Sequence, residues 1–368
     1  MVDIIVKDKL RASIEAASGG RQTVLYTAKG QPTYMNIVEQ FSNDIYGGVD
    51  GMGSYHPMFN FSPNALGRIF IGTYKGVVVN GELLSLPYEN LGDGRMSMKD
   101  TMNAARACGR GFHQMTYVQH SGLVNMGIAK GGFNRGNQDQ GLDTIGHAGV
   151  KGTFVDGMGQ STKNGSGGYT WTHDGTIHGI HDLSGGGWQF ATGLRIVGKE
   201  LQIQGNNYAY NYASADDSLG NDWWAIDATT GGFIVPSSTG TLETDTFLNT
   251  TPNSIRIESN EASIGNESIY IPMWYPWVLS NFKFGAGISE FCKAQLKTFG
   301  VIPVSNVNTD NTAYLSIQDD NPYRVRYFMR GGAVDTGAAS GGYSTAALVV
   351  DANFTLAFNY GRPCFAEI

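Results

Sequence analysis

Residues 170–196 read TWTHDGTIHGIHDLSGGGWQFATGLRI, the clearest succession of turns and strand in the chain. The second half, GWQFATGLRI, has the apolar and β-branched character of a buried strand. The first half places His173, His178, His181 and Asp182 among glycines, which indicate turns. Imidazoles and a carboxylate can bind zinc or iron, but this spacing matches no helical zinc motif. We interpret the four as structural or surface residues and predict no metal and no cofactor.

The segment Ala333 to Tyr360 uses a restricted set of residue types, AVDTGAASGGYSTAALVVDANFTLAFNY. It contains no Lys, Glu, Gln, Met or Trp, and such a gap has a chance on the order of a per cent at the composition of this chain. The types that remain are those that codons ending in a pyrimidine encode. Free variation of the first two codon positions would produce this set. The alternative is a pair of Gly/Ala/Ser-rich closing strands that lack those five types.

Composition narrows the class of protein. The chain has 368 residues, of which 41% are hydrophobic, only 15% are charged and 51 are glycine. Many glycines and few charges favour loops on a β-rich frame over long surface helices. The net charge of -7 argues against a nucleic-acid binder and against adhesion to anionic membranes. We therefore expect no nucleic-acid partner and no membrane insertion.

The three cysteines, Cys108, Cys292 and Cys364, are far apart in the sequence. Such a sparse, odd set is typical of buried thiols in a chain that folds in a reducing cytoplasm. The N-terminus, MVDIIVKDKLRAS, lacks the apolar run of a signal peptide. No apolar stretch approaches the ~20 residues of a membrane-spanning helix. We expect a chain made in the cytoplasm and not exported by the ordinary route.

Local patterns predict an α+β organisation. Residues 1–50 are expected to form an N-terminal arm or collar, with a helix closed at Gly19-Gly20 and a strand pair, and residues 51–368 a single β-rich domain with two helices. Ser97 and Thr116 are the predicted N-caps of those helices. Asn80-Gly81 is the strongest hairpin signal.

Other chemistry is only weakly indicated. No Gly-x-Ser-x-Gly elbow is present, and the glycine runs lack the Lys-Ser/Thr of a phosphate-binding loop. Asn221-Asp222 is similar to the pair that lectins use for calcium, although solvated loop polarity explains it equally simply. Trp223-Trp224 and the tryptophans of 274–277 are core or lid aromatics, with a sugar-stacking platform as the alternative.

Residues 170–196, together with 329–365 (MRGGAVDTGAASGG…FNYGRPCF), carry a family likeness. The first block resembles the "DLsGNVWEW…GlR" block of the C-type lectin fold of the formylglycine-generating-enzyme type. The second is similar to the variable region of the variable proteins of phage diversity-generating retroelements, which opens on Arg-Gly-Gly and closes on Gly…Arg-Pro-Cys-Phe. The resemblance runs from about residue 30 to the C-terminus. It implies a C-type-lectin-like fold with a C-terminal variable region at 330–365.

The resemblance also explains the restricted residue types, because in that family a reverse transcriptase miscopies template adenines into this coding region. It implies a non-enzymatic, hypervariable receptor-binding protein of the virion, a tail-fibre or tail-tip adhesin that binds a bacterial surface protein or glycan. A homo-oligomer, a trimer by family analogy, and contacts with other phage tail proteins are the further partners implied. The oxidase branch of the fold needs a close pair of copper-binding cysteines, which Cys292 and Cys364 do not match in context. The diversified, ligand-binding positions are expected among Val334, Asp335, Thr336, Ala338, Ala339, Tyr343, Thr345, Asp351, Asn353, Thr355, Ala357, Asn359 and Tyr360.

Variation of this kind requires a water-facing surface on a rigid backbone. Core substitutions cost about 2–5 kcal/mol, whereas surface substitutions stay within about 0.5 kcal/mol. Gly331-Gly332 and Gly341-Gly342 suit left-handed turns, and Leu348, Val350, Leu356 and Phe358 alternate as one buried strand face. Arg330 and Arg362 are expected either to brace the segment through hydrogen bonds to carbonyls or carboxylates, or to lie on the surface.

Overall fold

The computed structural model describes residues 2–43, 55–61, 64–91, 95–129, 135–143, 150–155, 161–204, 223–239, 247–271, 278–304, 315–317, 325–333, 345–348, 355 and 359–367. Within them the chain is a mixed α+β, strand-rich protein, as its composition predicted. The α-helices of the described chain are α1 Val2–Ser18, α2 Met98–Ala107, α3 Tyr117–Ala129 and α4 Glu290–Thr298.

The strands up to residue 204 are β1 Gln22–Tyr26, β2 Pro32–Glu39, β3 Asn60–Phe61, β4 Asn64–Ala65, β5 Arg68–Gly72, β6 Gly76–Val79, β7 Glu82–Ser85, β8 Phe112–Gln114, β9 Gly136–Asn137, β10 Ser184–Gly185, β11 Trp188–Val197 and β12 Glu200–Gln204. The later strands are β13 Trp223–Ile226, β14 Phe233–Ile234, β15 Ser238–Thr239, β16 Leu248–Asn249, β17 Arg256–Glu258, β18 Ser268–Tyr270, β19 Lys283–Phe284, β20 Leu315–Ile317, β21 Val325–Arg330, β22 Thr345–Leu348, β23 Asn359–Tyr360 and β24 Pro363–Phe365.

Two sheets form the frame. The smaller has five strands in the order β1-β2-β5-β24-β8. The larger has eleven strands with the main path β19-β18-β17-β12-β11-β21-β22-β20, and β13, β14 and β23 branch from it. The C-terminal part of the chain supplies β21, β22 and β23 to the larger sheet and β24 to the smaller one. It therefore joins the two sheets.

The N-terminal residues belong to the smaller sheet. β1 and β2 pair antiparallel, and β2 pairs in turn with β5, where Ile37 lies opposite Phe70. α1 ends at Gly19 and Gly20, both at positive φ, as predicted. The expected arm is thus integrated into the sheet that also contains the C-terminal β24. The boundary near residue 50 lies outside the described residues and stays a prediction.

The local signals for α2, α3 and the β6–β7 hairpin are confirmed. Ser97 caps α2 through a reciprocal capping box with Asp100. The Thr116 hydroxyl accepts the backbone N–H of Gln119 at the start of α3. Asn80 and Gly81 both have positive φ, as the two-residue turn requires.

The expectation of two helices beyond the N-terminal segment is wrong, because α4 is a third. Its sequence signal is short but present. Ser289 accepts the backbone N–H of Cys292, Glu290 lies in the first turn, and Cys292 and Leu296 are buried one turn apart. A nine-residue helix offers too few turns for its periodicity to stand out among strands.

The larger sheet is covered on both faces. Side chains of β11 and β12, such as Ile196 and Ile203, pack into the main core with Leu123 of α3 and Leu296 of α4. A second cluster packs Met102 of α2 against neighbouring side chains of β11 and β21. Because of this two-sided burial, every residue of β21 and all but one of β11 are buried, and the polar side chains of Arg195 and Arg326 are buried with them.

Candidate ligand-binding site in the C-terminal segment

The C-terminal segment, residues 330–365, runs between the two sheets. It leaves β21, returns antiparallel as β22, and reaches β23, which pairs parallel with β11. Between β22 and β23, Thr355 forms an isolated bridge with Ser97, the N-cap of α2. The chain then enters the smaller sheet as β24, between β5 and β8. Both ends of the segment are therefore fixed in sheets.

The first anchor is Arg330, at the end of β21. Its side chain is buried, and Nη1 donates to the Tyr117 hydroxyl at 2.7 Å while Nε donates to His120 Nδ1 at 3.3 Å. The guanidinium also lies 4.7 Å from the centroid of the Tyr117 ring. Burial, reinforced by the nearby arginine charges, holds the pKa of His120 well below its usual value. A neutral His120 is the form that can accept this hydrogen bond.

Gly331 follows this arginine and is required by its surroundings. Its φ is 98°, and its carbonyl accepts the Gly185 N–H at 2.6 Å. A Cβ at Gly331 would lie 2.7 Å from the Leu183 carbonyl oxygen. Gly332 also has a positive φ, of 85°. The prediction that these two glycines make a left-handed turn is confirmed, whereas Gly341-Gly342 lie outside the described residues.

The second anchor is Arg362, which is fully buried where the segment enters β24. Burial lowers its pKa to about 10, and the nearby Asp182 opposes that shift, so the guanidinium is charged at neutral pH. All of its acceptors are backbone carbonyls or an amide oxygen: Gly72 O at 2.8 Å, His181 O at 2.8 Å, Asp182 O at 3.3 Å and Gln189 Oε1 at 2.8 Å.

Both arginines brace the segment through buried hydrogen bonds. The expected carbonyl acceptors are confirmed for Arg362, whereas the bonds described for Arg330 go to a hydroxyl and an imidazole. The loop that leads into β11 takes part in both anchors, since Gly185 bonds to Gly331 while His181 and Asp182 bond to Arg362. The two sequence blocks that carry the family likeness, 170–196 and 329–365, are thus in direct contact.

Lys75 is a buried residue of this region that the sequence did not reveal. Its Nζ donates to Gly185 O at 2.6 Å and to Gly187 O at 2.9 Å, and it lies 5.5 Å from the centroid of the Tyr360 ring. Burial lowers the pKa of Lys75 to about 7, partly offset by Asp182. Lysine is usually exposed, and Lys75 lies in a short connection between two strands, where a solvated turn is expected. No sequence signal therefore predicts its burial next to the C-terminal segment.

The nominated ligand-binding residues are unevenly placed. Thr355 is exposed, as expected for a contact residue. Asn359 and Tyr360 are buried, so the expectation that they face solvent is wrong. The cause is the pairing of β23 with β11, a strand covered on both faces, together with the bridge from Arg95 to Asn359.

The other nominated positions cannot be placed as side chains. Thr345 lies in β22, of which the backbone alone is described. The positions outside the described residues are Val334, Asp335, Thr336, Ala338, Ala339, Tyr343, Asp351, Asn353 and Ala357. Among the four apolar residues predicted to form one buried strand face, Leu348 lies in β22. The other three, Val350, Leu356 and Phe358, lie outside the described residues.

The histidine-rich stretch has structural roles. His173 Nδ1 accepts the Ile180 N–H at 2.9 Å, and Asp182 Oδ2 accepts the Gly165 N–H at 2.8 Å. The described chain contains no group of three or more His, Cys, Asp or Glu that could hold a metal ion. Asn221-Asp222 and residues 274–277 lie outside the described ranges, and Trp223 is buried.

The three cysteines are free and buried. Burial raises the pKa of both Cys108 and Cys292 to about 12, and it raises that of Cys364 further. These thiols are protonated at neutral pH, which disfavours metal binding and nucleophilic chemistry.

Among the helices that the structure describes, none is long and apolar enough to cross a membrane. No model of a known protein family matches the sequence, and no curated protein matches it.

Proposed function

We propose that the chain is a hypervariable receptor-binding protein, a phage tail-fibre or tail-tip adhesin with a C-type-lectin-like domain. Its C-terminal segment would bind a protein or glycan on a bacterial surface, with the virion as its location. The observation that carries the proposal is the anchoring of this segment at both ends. Arg330 with Gly331 holds one end, and Arg362 holds the other.

Fixed ends matter because variable side chains need a backbone that does not change with them. A domain is stable by only about 5–15 kcal/mol, so it tolerates many substitutions only where side chains make few internal contacts. The buried hydrogen bonds described for the anchors come from residues outside the nominated set. Substitutions between the anchors would then leave the frame intact.

The burial of Asn359 and Tyr360 narrows the proposed contact surface. These two positions support the backbone, and contacts with a target fall to the other eleven nominated positions, Thr355 among them. The small, hydroxyl-bearing and Tyr-containing set at those positions resembles the composition of antibody loops.

The two alternatives have weaker support. An oxidase of the formylglycine-generating type would need reactive cysteines, but burial keeps the Cys292 and Cys364 thiols protonated by raising their pKa. A calcium-dependent lectin would depend on Asn221-Asp222, and no observation on the described chain favours it. Loss of binding on chelation of calcium would identify that lectin.

The experiment is a binding profile. The fluorescently labelled chain is mixed with a panel of bacterial strains that differ in surface composition, and bound label is counted by flow cytometry. We expect Thr355→Lys, Tyr343→Ala and Asn353→Ala to change which strains are bound, with changes in stability within about 0.5 kcal/mol. Ile177→Ser, an exposed substitution outside the segment, should leave the profile unchanged. Identical profiles for all variants, no binding by the parent chain, or large losses of stability would contradict the proposal.

A further inference from the structure

A second group of polar and aromatic side chains lies outside the C-terminal segment. Tyr34, Tyr88, His181 and Asp182 lie around Tyr74, and we call these five residues the tyrosine cluster. The ring centroids of Tyr34 and Tyr74 are 6.5 Å apart with the rings edge to face. Tyr74 stacks on His181 with a centroid distance of 5.1 Å. Strand β2, the turn after β5 and the 170–196 block therefore meet at this point.

A close approach of the backbone brings Tyr88 to the same place. The Tyr88 N–H donates to Asn164 O at 2.9 Å, and the next residue, Gly165, donates its N–H to Asp182 Oδ2 at 2.8 Å. A Cβ at Gly165 would lie 2.5 Å from Tyr74 Cε1. Only glycine fits against this ring, and its φ of 70° also favours glycine.

Two features of the cluster are unfavourable for the free protein. Tyr88 has a φ of 59°, which L-residues rarely adopt. Because the residue is 61% exposed, its packing contacts do not compensate for this strain. His181 Nδ1 is buried without a hydrogen-bond partner among the described residues. A strained, exposed residue such as Tyr88 is characteristic of ligand sites, where a bound molecule compensates for the strain.

The charges near the cluster select a neutral ligand. The Asp182 carboxyl group lies close enough to Arg362 and Lys75 to interact with both, and Arg362 is charged at neutral pH while Lys75, with a pKa lowered to about 7, is charged in part. A small cation would meet both positive groups. The hydrogen bonds of Arg362 and Lys75 go to backbone carbonyls and to the Gln189 amide oxygen, so these two cations are engaged within the protein and are not directed at an anion.

The remaining groups suit a polyhydroxyl compound. Burial, together with Asp182 and the neighbouring tyrosines, raises the pKa of Tyr74 to about 12, so its hydroxyl remains a donor at all physiological pH values. Asp182 offers acceptor oxygens to such a compound. The exposed ring of Tyr88 offers a flat apolar face for the C–H groups of a sugar ring.

We propose that the tyrosine cluster binds a neutral saccharide, with a sugar ring stacked on Tyr88 and its hydroxyls bonded to Asp182 and to the Tyr74 hydroxyl. The site uses no residue of the nominated contact surface. It would act as a fixed sugar-binding site beside the C-terminal segment, and it does not depend on the function proposed for that segment.

The test uses the full chain and four neutral probes, the methyl glycosides of glucose, galactose, mannose and N-acetylglucosamine at millimolar concentrations. Saturation-transfer NMR detects binding, and a titration gives the dissociation constant. We expect at least one glycoside to bind, without added calcium. The absence of transfer to all four would overturn the proposal, whatever the result of the bacterial binding profile.

Variants locate the site. Tyr88→Gly removes the ring at a backbone conformation that glycine prefers, so the melting temperature should stay the same or rise while binding weakens tenfold or more. Tyr169→Ala is the matched control, since 56% of that side chain is exposed, and it should leave the affinity unchanged. Unchanged affinity in Tyr88→Gly, a fall in its melting temperature, or an equal loss in both variants would show that the tyrosine cluster is not a sugar site.

Discussion

The two anchors of the C-terminal segment use the same residue type with different partners. Arg330 bonds to two side chains that carry their own chemistry, the Tyr117 hydroxyl and the His120 imidazole. Arg362 bonds to three backbone carbonyls and to Gln189. Backbone carbonyls do not titrate and are present whatever the side chain, whereas an imidazole becomes protonated in acid and then no longer accepts a hydrogen bond. We therefore expect the Arg362 anchor to be stronger and the Arg330 anchor to be sensitive to pH.

The largest effect is expected at Arg362. Arg362→Met keeps an apolar side chain of similar length but leaves several buried carbonyls unpaired, which should lower the free energy of unfolding by about 3–5 kcal/mol. Urea denaturation followed by tryptophan fluorescence measures this change. Arg68→Met is the control, because Arg68 is half exposed and pairs with Glu367 on the surface at 3.5 Å, a contact worth about 0.5 kcal/mol. Equal effects of the two substitutions would mean that Arg362 is not an anchor.

A smaller effect is expected at the first anchor. Arg330→Met should cost about 2–3 kcal/mol, because the Tyr117 hydroxyl loses its donor but still donates to Gly300 O. Tyr117→Phe should cost about 1–2 kcal/mol, since it removes that hydroxyl and both of its hydrogen bonds. The same urea titration compares them with Arg362→Met. If Arg330→Met costs more than Arg362→Met, the proposed order of the anchors is wrong.

The pH dependence separates the anchors more directly. His120 is buried and neutral, and its pKa is well below the usual 6.5. The contribution of neutral His120 to the free energy of unfolding is fully present above pH 6.5. The free energy of unfolding falls as the pH drops below 6.5, because the unfolded chain then binds a proton that the folded chain does not. The free energy of unfolding should therefore fall between pH 6.5 and pH 5, and His120→Asn should remove the part of that loss that His120 causes.

A second buried histidine serves as the control for this pH effect. Burial lowers the pKa of His113 to about 4, so His113→Asn should reduce the global acid sensitivity in the same way. Only His120→Asn should change the acid-dependent hydrogen exchange of the backbone N–H groups at 331–333, next to the first anchor. Equal exchange in the two variants would show that His120 does not act on that anchor.

Much of this frame can be predicted from local sequence. The glycines after Arg330, the N-caps at Ser97 and Thr116 and the Asn80-Gly81 turn each depend on a few neighbouring residues, and the structure confirms them. The burial of the arginines was left open for a physical reason. Arginine is usually exposed, and the carbonyls that satisfy Arg362 come from residues about 180 to 290 positions away, which no local pattern indicates.

The candidate site shows where this reasoning fails. The alternation of Leu356 and Phe358 predicts that the odd-numbered neighbours point outwards. Asn359 is nevertheless buried, because β23 lies against the two-sided strand β11. Pairing between distant strands decides which faces are covered, and a single sequence does not contain that information. The same applies to Lys75, whose partners Gly185 and Gly187 are 110 and 112 positions away.

The smallest effect on stability is expected at Asn359, and it sharpens the contrast between anchors and segment. Neither amide atom of Asn359 has a hydrogen-bond partner among the described residues, so Asn359→Leu should change the free energy of unfolding by no more than about 1 kcal/mol and could raise it. Asn36 is the matched buried control, since it accepts from the Thr73 hydroxyl at 2.8 Å and donates to His178 O at 2.7 Å. Asn36→Leu should therefore cost about 2–3 kcal/mol in the same denaturation experiment, because it leaves those partners unpaired. Equal losses at the two positions would place Asn359 with the anchors, as a residue whose amide bonds hold the segment in place.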